Sequence, residues 1–560
     1  MARSPIISSL VLVPALFAPL AMAATTADQI LRDQQQQLDL QRQELLKRPD
    51  VFSSPRSDQA PTIVGPSTPT GPCFEIKSIV LPGIPDQWDT WLHQLAKPII
   101  GTCPDINQIR ALVEVLTNAL VAHGYVTSRV YLPEQNLKAG VLKLAVIPGR
   151  LGKIHLKGGT TDLSLLAAFP IESGEVLNLR ALEQGLEQLN RVSSQKATME
   201  IVPAKEPGYS DVEVTRDRSK PWTATLGLDD SGQAATGKNQ GSIGVSADNL
   251  IGINDSLSIN WSQDASLISD PSSRADSVSW LLPWGNWTGL ISYSESDYRQ
   301  QIPGVNQTFS STGHSRNTFL SLSRLLDRDQ TSKTELALQL TRKSSRSYLE
   351  NVEIQTQRQD LTELGLSLTH RHYIGAWVVD GSLTATKGID AWGAMPNTLA
   401  EQAGPSARAR IYVGQLNLTA PFRTMGQNLR WSSSFKGQYS PDLLLGQEQF
   451  SIGSRYTVRG FDDLSLSGNN GYYIRNELAW VALPPTAHGR SLEWYASLDA
   501  GQVSGQTTDW GTTTLSGWST GLRATLCPGL NLELSHERAL HQPETWSRPA
   551  ITHFRLTLQF

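Results

Sequence analysis

Long hydrophobic runs are missing from this chain after its first two dozen residues, because no later apolar run reaches about 18 residues. Charged residues are also few, at 18%, while Ser, Thr, Gln, Asn and Gly are plentiful. This composition excludes a bundle of membrane-spanning helices. It is typical of strands that alternate apolar and polar residues, since such strands hide their lipid-facing side from a hydropathy window.

A strong net charge and familiar catalytic motifs are also absent. The formal net charge is −4 over 560 residues, which argues against a general nucleic-acid-binding protein. We find neither a phosphate-binding Gly-x-x-x-x-Gly-Lys-Ser/Thr loop nor a His-Glu-x-x-His metal helix. The sequence therefore predicts a protein that is not an enzyme, with no cofactor and no catalytic, cofactor-binding or metal-binding residues.

Cysteine is scarce, with three residues in the whole chain. Cys73 and Cys103 bracket about thirty residues of one small unit, and a disulfide is their expected use in an oxidising compartment. Closing a loop of that size would stabilise the unit by roughly 3–4 kcal/mol in the chain-entropy model. Cys527 has no evident partner, and a metal site would need more ligands than the cysteines offer.

The first residues have the pattern of a secretory signal peptide. Arg3 supplies the positive end, Ile6–Leu20 the apolar stretch, and Ala21–Ala23 the small-residue cleavage site. We expect residues 1–23 to be removed, so that the mature protein begins at Ala24 outside the cytoplasm. A short transmembrane anchor is the alternative.

A helix and a flexible linker are predicted next. Residues 24–48 are rich in Gln, Leu, Glu, Lys and Arg, and Pro49 stops the helix. Its apolar stripe is thin, which suits a wet environment. A short coiled coil is the alternative, because Leu31, Leu38 and Leu45 are seven residues apart. Residues 49–72 hold several Pro, Ser and Thr and are expected to be the linker.

Two successive units of about 75 residues then repeat the order β-α-α-β-β. We place the first at residues 73–148 and the second at residues 149–217. Each unit leaves a sheet edge open, and an extended peptide can add to such an edge as a further strand. A pair of inert spacers is the alternative.

Residues 218–560 carry the alternation that a membrane β-barrel requires. Near the start, Trp222, Ala224, Leu226 and Leu228 alternate with polar or small residues. Thirteen of the fifteen tryptophans follow residue 220, as expected for residues at membrane–water boundaries. At roughly 21 residues per strand and connection, the segment has room for about sixteen strands of about 10 residues each. A soluble sandwich is the alternative.

Strand parity singles out one pair of charged residues. Along residues 493–501, Asp499 falls on the face opposite Trp494 and Leu498, so it points into the lumen if those two meet lipid. Arg459 lies on the longest predicted loop, two strands earlier, and can fold back to grip that carboxylate with two hydrogen bonds. The alternative is a solvated arginine and an unrelated wall aspartate.

This arrangement resembles the TpsB family, the outer-membrane transporters of two-partner secretion, over essentially the whole mature chain. The most specific matches are Ile452–Phe461, Ser467–Gly471 and Leu498–Gly501. The resemblance implies an outer-membrane β-barrel of about sixteen antiparallel strands, with a plug helix and two periplasmic POTRA domains. It also implies a latch, Val458, Arg459, Gly460 and Phe461, whose partner is Asp499. Cys73 and Cys103 make the first POTRA domain resemble the haemolysin and contact-dependent-toxin branch.

The expected function is export of a large unfolded exoprotein across the outer membrane without ATP. POTRA domains would bind the exoprotein, which is a haemolysin, an adhesin or a contact-dependent toxin. Other expected partners are outer-membrane lipid, the barrel assembly machinery and periplasmic chaperones. The alternatives are an insertase for barrel proteins, which normally has more POTRA domains, and a plugged uptake receptor or passive pore.

Overall fold

The computed structural model describes residues 18–46, 71–159, 161–265, 272–397, 404–462, 464–487, 489–505, 512–547 and 549–560. Most of the expected signal peptide (residues 1–17) and of the expected linker (residues 49–70) lies outside these ranges. Among the described residues, no helix is both long enough and apolar enough to cross a membrane.

The first helix, α1, spans Ala18–Leu46. It begins earlier than predicted, within the expected signal peptide. Pro19 lies in its first turn, where a missing N–H costs nothing, and the chain contains no glycine before the helix ends. From Asp28 onward the helix lies inside the barrel, against the wall and a folded-in loop.

The first β-α-α-β-β unit packs two helices on two short strand pairs. Its elements are β1 Ser78–Val80, α2 Asp86–Ala96, α3 Ile106–Ala122, β2 Arg129–Tyr131, β3 Val141–Lys143 and β4 Ala145–Ile147. A capping box formed by Asp105 and Gln108 starts α3. The core buries Trp88, Leu116 and Leu142 completely. β1 pairs with β3 and β2 pairs with β4. Each of the four strands has three residues.

The second unit follows directly. Its elements are β5 Arg150–Leu156, α4 Leu163–Ala168, α5 Leu179–Leu189, β6 Gln195–Pro203 and β7 Tyr209–Arg218. β7 lies between β5, to which it is parallel, and β6, to which it is antiparallel. Leu182 and Leu189 of α5 pack into the core with Val212 and Val214 of β7.

The rest of the chain forms a closed barrel of sixteen spanning antiparallel strands, so the predicted fold class is confirmed. The spanning strands are β8 Trp222–Asp229, β9 Gln240–Asp248, β10 Ser256–Asp264, β11 Ser272–Trp284, β12 Trp287–Pro303, β13 Thr308–Arg328, β14 Ser332–Leu349, β16 Gln359–Ile374, β17 Trp377–Gly388, β18 Arg410–Thr424, β19 Gln427–Tyr439, β22 Asn470–Leu483, β23 Ser491–Ser504, β24 Thr514–Cys527, β25 Leu530–His541 and β26 Ile551–Gln559. Three short strands lie outside this count: β15 Val352–Glu353, β20 Phe450–Ile452 and β21 Leu466–Gly468.

The two faces of the barrel wall differ as the alternation predicts. Along β23, Trp494 and Leu498 are exposed on the outside, while Tyr495, Ser497 and Asp499 are buried on the inside. An exposed apolar outer face suits lipid, and a polar inner face suits a wet or protein-filled lumen.

The second unit is fixed through α5 to the end of the barrel that carries the β11–β12 turn. Glu187, which is almost fully buried, pairs with Arg328 at 2.9 Å and with Lys333 at 2.5 Å, both from the barrel. Gln188 donates to the carbonyl oxygen of Gly285, in the β11–β12 turn, at 2.7 Å. Burial by itself raises the pKa of Glu187, but the two nearby cations outweigh it and leave that pKa below its ordinary value.

Candidate functional site

The connection between β19 and β22 folds into the barrel instead of standing above it. We call its described residues, 440–462 and 464–469, the lumen loop. Within it, β20 and β21 pair as a short antiparallel hairpin. Its apolar side chains join those of the wall in one cluster: Phe450, Ile452, Val458, Phe461, Leu466, Val503, Leu515, Ala539 and Trp546. A hydrophobic base therefore holds this loop in a defined position.

The structure brings Arg459 of the loop to Asp499 of β23. The guanidinium donates to both carboxylate oxygens, from Nε at 2.6 Å and from Nη2 at 2.9 Å. The backbone N–H of Arg459 adds a third bond to Asp499, at 3.2 Å. Both residues are buried, with 4% and 3% of their surface exposed. This forked geometry fixes the direction of the arginine as well as attracting it.

The residues on either side of Arg459 explain how it reaches the wall. Val458 is fully buried, and the ring of Phe461 meets Trp546 edge-on, with ring centroids 6.1 Å apart. Gly460 has φ +96°, and a Cβ there would lie 2.5 Å from the backbone carbon of Arg538. Glycine is therefore required for the loop backbone to approach β25 this closely.

Sequence reasoning missed the charged wall residues around this pair. Glu477 of β22 accepts from Arg459 at 3.0 Å and from Arg523 of β24 at 2.6 Å. Glu537 of β25 accepts the Gly460 backbone N–H at 3.0 Å. Strand parity could have flagged Glu477, Arg523 and Glu537 as inward-facing charges, but their partners depend on the register between strands.

Helix α1 touches the same loop. The connecting hydrogen bonds are Arg32 Nη1 to Gly446 O at 2.9 Å, Gln37 Nε2 to Tyr456 Oη at 3.3 Å, and Ser454 Oγ to Gln36 Oε1 at 3.4 Å. Arg475 of β22 donates to the carbonyl oxygen of Tyr456 at 2.9 Å. The helix, the loop and the wall are thus in direct contact.

The opposite side of α1 contacts the wall through polar groups. Gln34 accepts from Ser296 at 2.8 Å, Gln35 accepts from Asn317 at 2.7 Å, and Arg42 donates to Asn317 at 2.9 Å. Arg42 also lies over the Phe319 ring, 4.3 Å from its centroid. A cavity of about 530 Å³ remains beside the helix. These contacts hold the helix without a large apolar surface. Water could form most of the same hydrogen bonds if the helix left the lumen.

The structure places a disulfide between Cys73 and Cys103, at the start of the first unit. The bond ties the segment that precedes β1 to the residues just before α3. Cys527, at the end of β24, is free and exposed.

One segment matches a hydrolase pattern that sequence reasoning overlooked. Residues 517–521 read Gly-x-Ser-x-Gly, the motif of a nucleophile elbow between a strand and a helix. Here the segment lies within β24, and Ser519 is fully buried against Ser497, with 2.7 Å between the hydroxyl oxygens. A Cβ at Gly517 would lie 1.9 Å from the carbonyl oxygen of Arg459. This glycine makes room for the lumen loop, so the motif has a structural explanation.

Comparison with known proteins agrees with this architecture. Residues 208–524 match the family model described as haemolysin secretion/activation protein ShlB/FhaC/HecB. Residues 74–149 match the ShlB-type POTRA domain, and residues 150–203 match a second POTRA model. The two β-α-α-β-β units are therefore POTRA domains.

Individual relatives extend over nearly the whole chain. The outer membrane transporter CdiB-2 of Burkholderia pseudomallei is 35% identical, over 96% of this chain and 95% of its own. The outer membrane transporter CdiB of Escherichia coli is 33% identical, over 93% of this chain and 89% of its own. The solved structure of CdiB from Escherichia coli superimposes with a TM-score of 0.85 at 30% identity, covering 95% of this chain and 99% of that one. The chain belongs to the haemolysin secretion/activation family, the outer-membrane transporters of two-partner secretion.

Proposed function

We propose that this structure is the resting state of the transporter, closed by α1 and by the lumen loop, and that an arriving exoprotein displaces the helix. One observation carries the proposal: α1 lies in the lumen and is held there mainly by polar contacts to the wall and to the loop. A plug fixed by hydrogen bonds can leave into water, where those groups are solvated again.

The pair of Arg459 and Asp499 keeps the lumen loop in position while the exoprotein displaces the helix. Arg459 and Asp499 are buried and bidentate, whereas the helix contacts are single hydrogen bonds. The helix is therefore the part that leaves first, and the latched loop remains as part of the conduit wall.

The first POTRA domain offers the exoprotein an entry site. Within the part of the chain that the structure describes, β1 pairs with β3 and β2 pairs with β4, so each leaves one edge open. Val80, Tyr131 and Ile147 are exposed on these strands. An extended segment of the exoprotein can add to such an edge through backbone hydrogen bonds and bury these apolar side chains.

The cargo is a large exoprotein, and the relatives named as CdiB favour a contact-dependent toxin over a haemolysin or an adhesin. Export uses no ATP and no enzymatic step of the transporter, because folding outside the cell biases the movement. Barrel assembly machinery and periplasmic chaperones act on the transporter earlier, during its biogenesis.

The proposal is tested by removing the protein from cells that make its exoprotein and measuring where the exoprotein accumulates. We expect it to disappear from the surface and the medium and to be degraded in the periplasm, while total outer-membrane protein stays unchanged. A general fall in outer-membrane protein would instead identify an insertase. Undiminished export would refute the proposal.

A further inference from the structure

The pairing between the first and last barrel strands is the shortest among the sixteen spanning strands. β26 pairs with β8 through five residue pairs, Arg555↔Asp229 to Gln559↔Thr225. The flanking junctions are longer, since β25 and β26 share eight pairs and so do β8 and β9. A short ladder has few hydrogen bonds to keep the barrel closed at this seam.

Asp230, directly after β8, compensates for the short ladder. Its carboxylate accepts the backbone N–H of Phe554 at 3.1 Å, and Nδ1 of His553 lies 2.8 Å from its second oxygen. Both contacts reach the last strand from the end of the first. Asp230 and His553 are buried, with 5% and 4% of their surface exposed, so water does not compete freely for these bonds.

The third partner of Asp230 comes from the lumen loop. Arg455, four residues before the latch arginine, donates to the Asp230 carboxylate at 3.1 Å. A second pair, Lys238 with Asp462, joins the loop to the connection between β8 and β9. The loop therefore has charged contacts with the first hairpin of the barrel on both sides of Arg459.

We propose that Arg455, Asp230 and His553 form a seam clasp, through which the seated lumen loop holds the first and last strands together. Arg455 is a positioning residue: its ion pair keeps the Asp230 carboxylate oriented toward His553 and Phe554. Unseating the loop removes that charge and loosens the seam, while the other junctions keep their ladders. This deepens the proposed resting state but concerns the empty transporter, so it can be tested without any exoprotein.

Hydrogen–deuterium exchange of the full chain in lipid nanodiscs tests the clasp. In Arg455→Gln we expect the amides of β26 to exchange roughly tenfold faster, because a buried charge-assisted bond is lost at a short ladder. The amides of β16 and β17, on another part of the wall, should be unchanged. Arg455→Lys, which keeps the charge, should restore most of the protection.

Two further variants separate coupling from general damage. Arg459→Ala does not touch the seam, yet it should also accelerate β26 exchange, because it unseats the loop that presents Arg455. Arg358→Gln is the matched control: it removes an arginine paired with Glu353 at 2.7 Å, outside the lumen loop and away from the seam, and should leave β26 unchanged.

The proposal is overturned if β26 exchange in Arg455→Gln equals that of the native chain, or if exchange rises equally in all strands. If Arg455→Gln does not assemble, Asp230→Asn removes the same charge contact at nearly constant shape. It should give the same seam-specific increase, and uniform or unchanged exchange would again overturn the clasp. These outcomes are independent of secretion, so failure of the clasp and failure of the proposed function are distinguishable.

Discussion

At the scale of single residues, Arg459 is shielded from water more completely than a wet lumen suggests. A solvated pair would contribute only about 1–3 kcal/mol. With 4% of Arg459 and 3% of Asp499 exposed, removing Arg459 leaves the buried Asp499 carboxylate with Arg475, 3.9 Å away, as its remaining cation. Breaking a buried ion pair in this way costs up to about 3–5 kcal/mol. Glu477 would also lose a bond, at 3.0 Å, although it keeps Arg523.

We therefore expect Arg459→Ala to reduce export at least tenfold while the barrel still assembles, because the loss falls on the loop and not on the strand ladders. Export is measured as exoprotein in the medium, and assembly as heat-modifiable migration of the barrel. Arg358→Ala, which removes an exposed arginine paired with Glu353 outside the lumen loop, is the control and should export normally. Full export by Arg459→Ala would show that the pair of Arg459 and Asp499 is not needed for export.

Glu187 gives the attachment of the second POTRA domain a pH dependence. In the folded protein the pKa of Glu187 is below its ordinary value. Its contribution to stability is therefore complete above about pH 4.3, the pKa of glutamate in an unfolded chain, and is lost as the pH falls through the lower pKa of the folded state. We expect the α5 amides to exchange equally slowly at pH 7 and pH 5.5, and the attachment to loosen below about pH 4, as followed by limited proteolysis.

The control for this prediction is Glu187→Gln. Since glutamine does not titrate, this variant should be weaker at neutral pH and change less on acidification. An attachment in the native chain that weakens steadily between pH 7 and pH 5.5 would contradict the assignment to Glu187.

Sequence parity could place Asp499 in the lumen because the side-chain period of a strand is two. It could not identify Glu477, Arg523 or Glu537 as neighbours, since their meeting depends on the register of β22 to β25. The sequence also could not show why residue 517 is a glycine. The carbonyl group of Arg459, from a distant segment, approaches it so closely that a side chain would not fit.

At the scale of elements, α1 is a long helix with little apolar surface. Ile30 packs against Tyr298, and Leu45 and Leu46 pack near Phe319, while most remaining contacts to the barrel are polar. These polar contacts are consistent with the thin apolar stripe seen in the sequence. Its heptad spacing also allowed a coiled coil, whereas in the structure the helix packs on barrel strands and on the lumen loop.

Deleting residues 27–48 should raise single-channel conductance in planar bilayers several-fold, because the lumen loses the helix that occupies it. Leu40→Ala is a suitable control, since Leu40 lies on the same helix and is 45% exposed beside the cavity. Its conductance should equal that of the native chain. Unchanged conductance after the deletion would exclude the helix as a plug.

The POTRA strands show where element prediction loses accuracy. The helices α3 and α5 follow from apolar spacing and from capping residues such as Asp105 and Asn178. Strand ends are set by pairing partners, so β1 and β2 have only three residues each although longer apolar runs surround them.

At the scale of the whole molecule, the order of units was predictable because each has its own periodicity. Alternation over residues 218–560 and a length of about 21 residues per strand and connection led to about sixteen strands, and the closed barrel confirms this. The sequence could not show how the first and last strands join to close the barrel. The short seam, the clasp on Asp230 and the seating of the loop all depend on segments far apart in the chain.

The central claim is that the exoprotein passes through the lumen that α1 occupies at rest. It is tested most directly by photo-crosslinking an exoprotein stalled in transit by a folded C-terminal domain. The photoreactive residue replaces either Gln415, which lines the cavity, or its neighbour Leu416, which is 49% exposed on the outer face of β18. We expect crosslinks to the exoprotein from position 415 and none from position 416. Equal crosslinking from both positions, or none from position 415, would contradict the account.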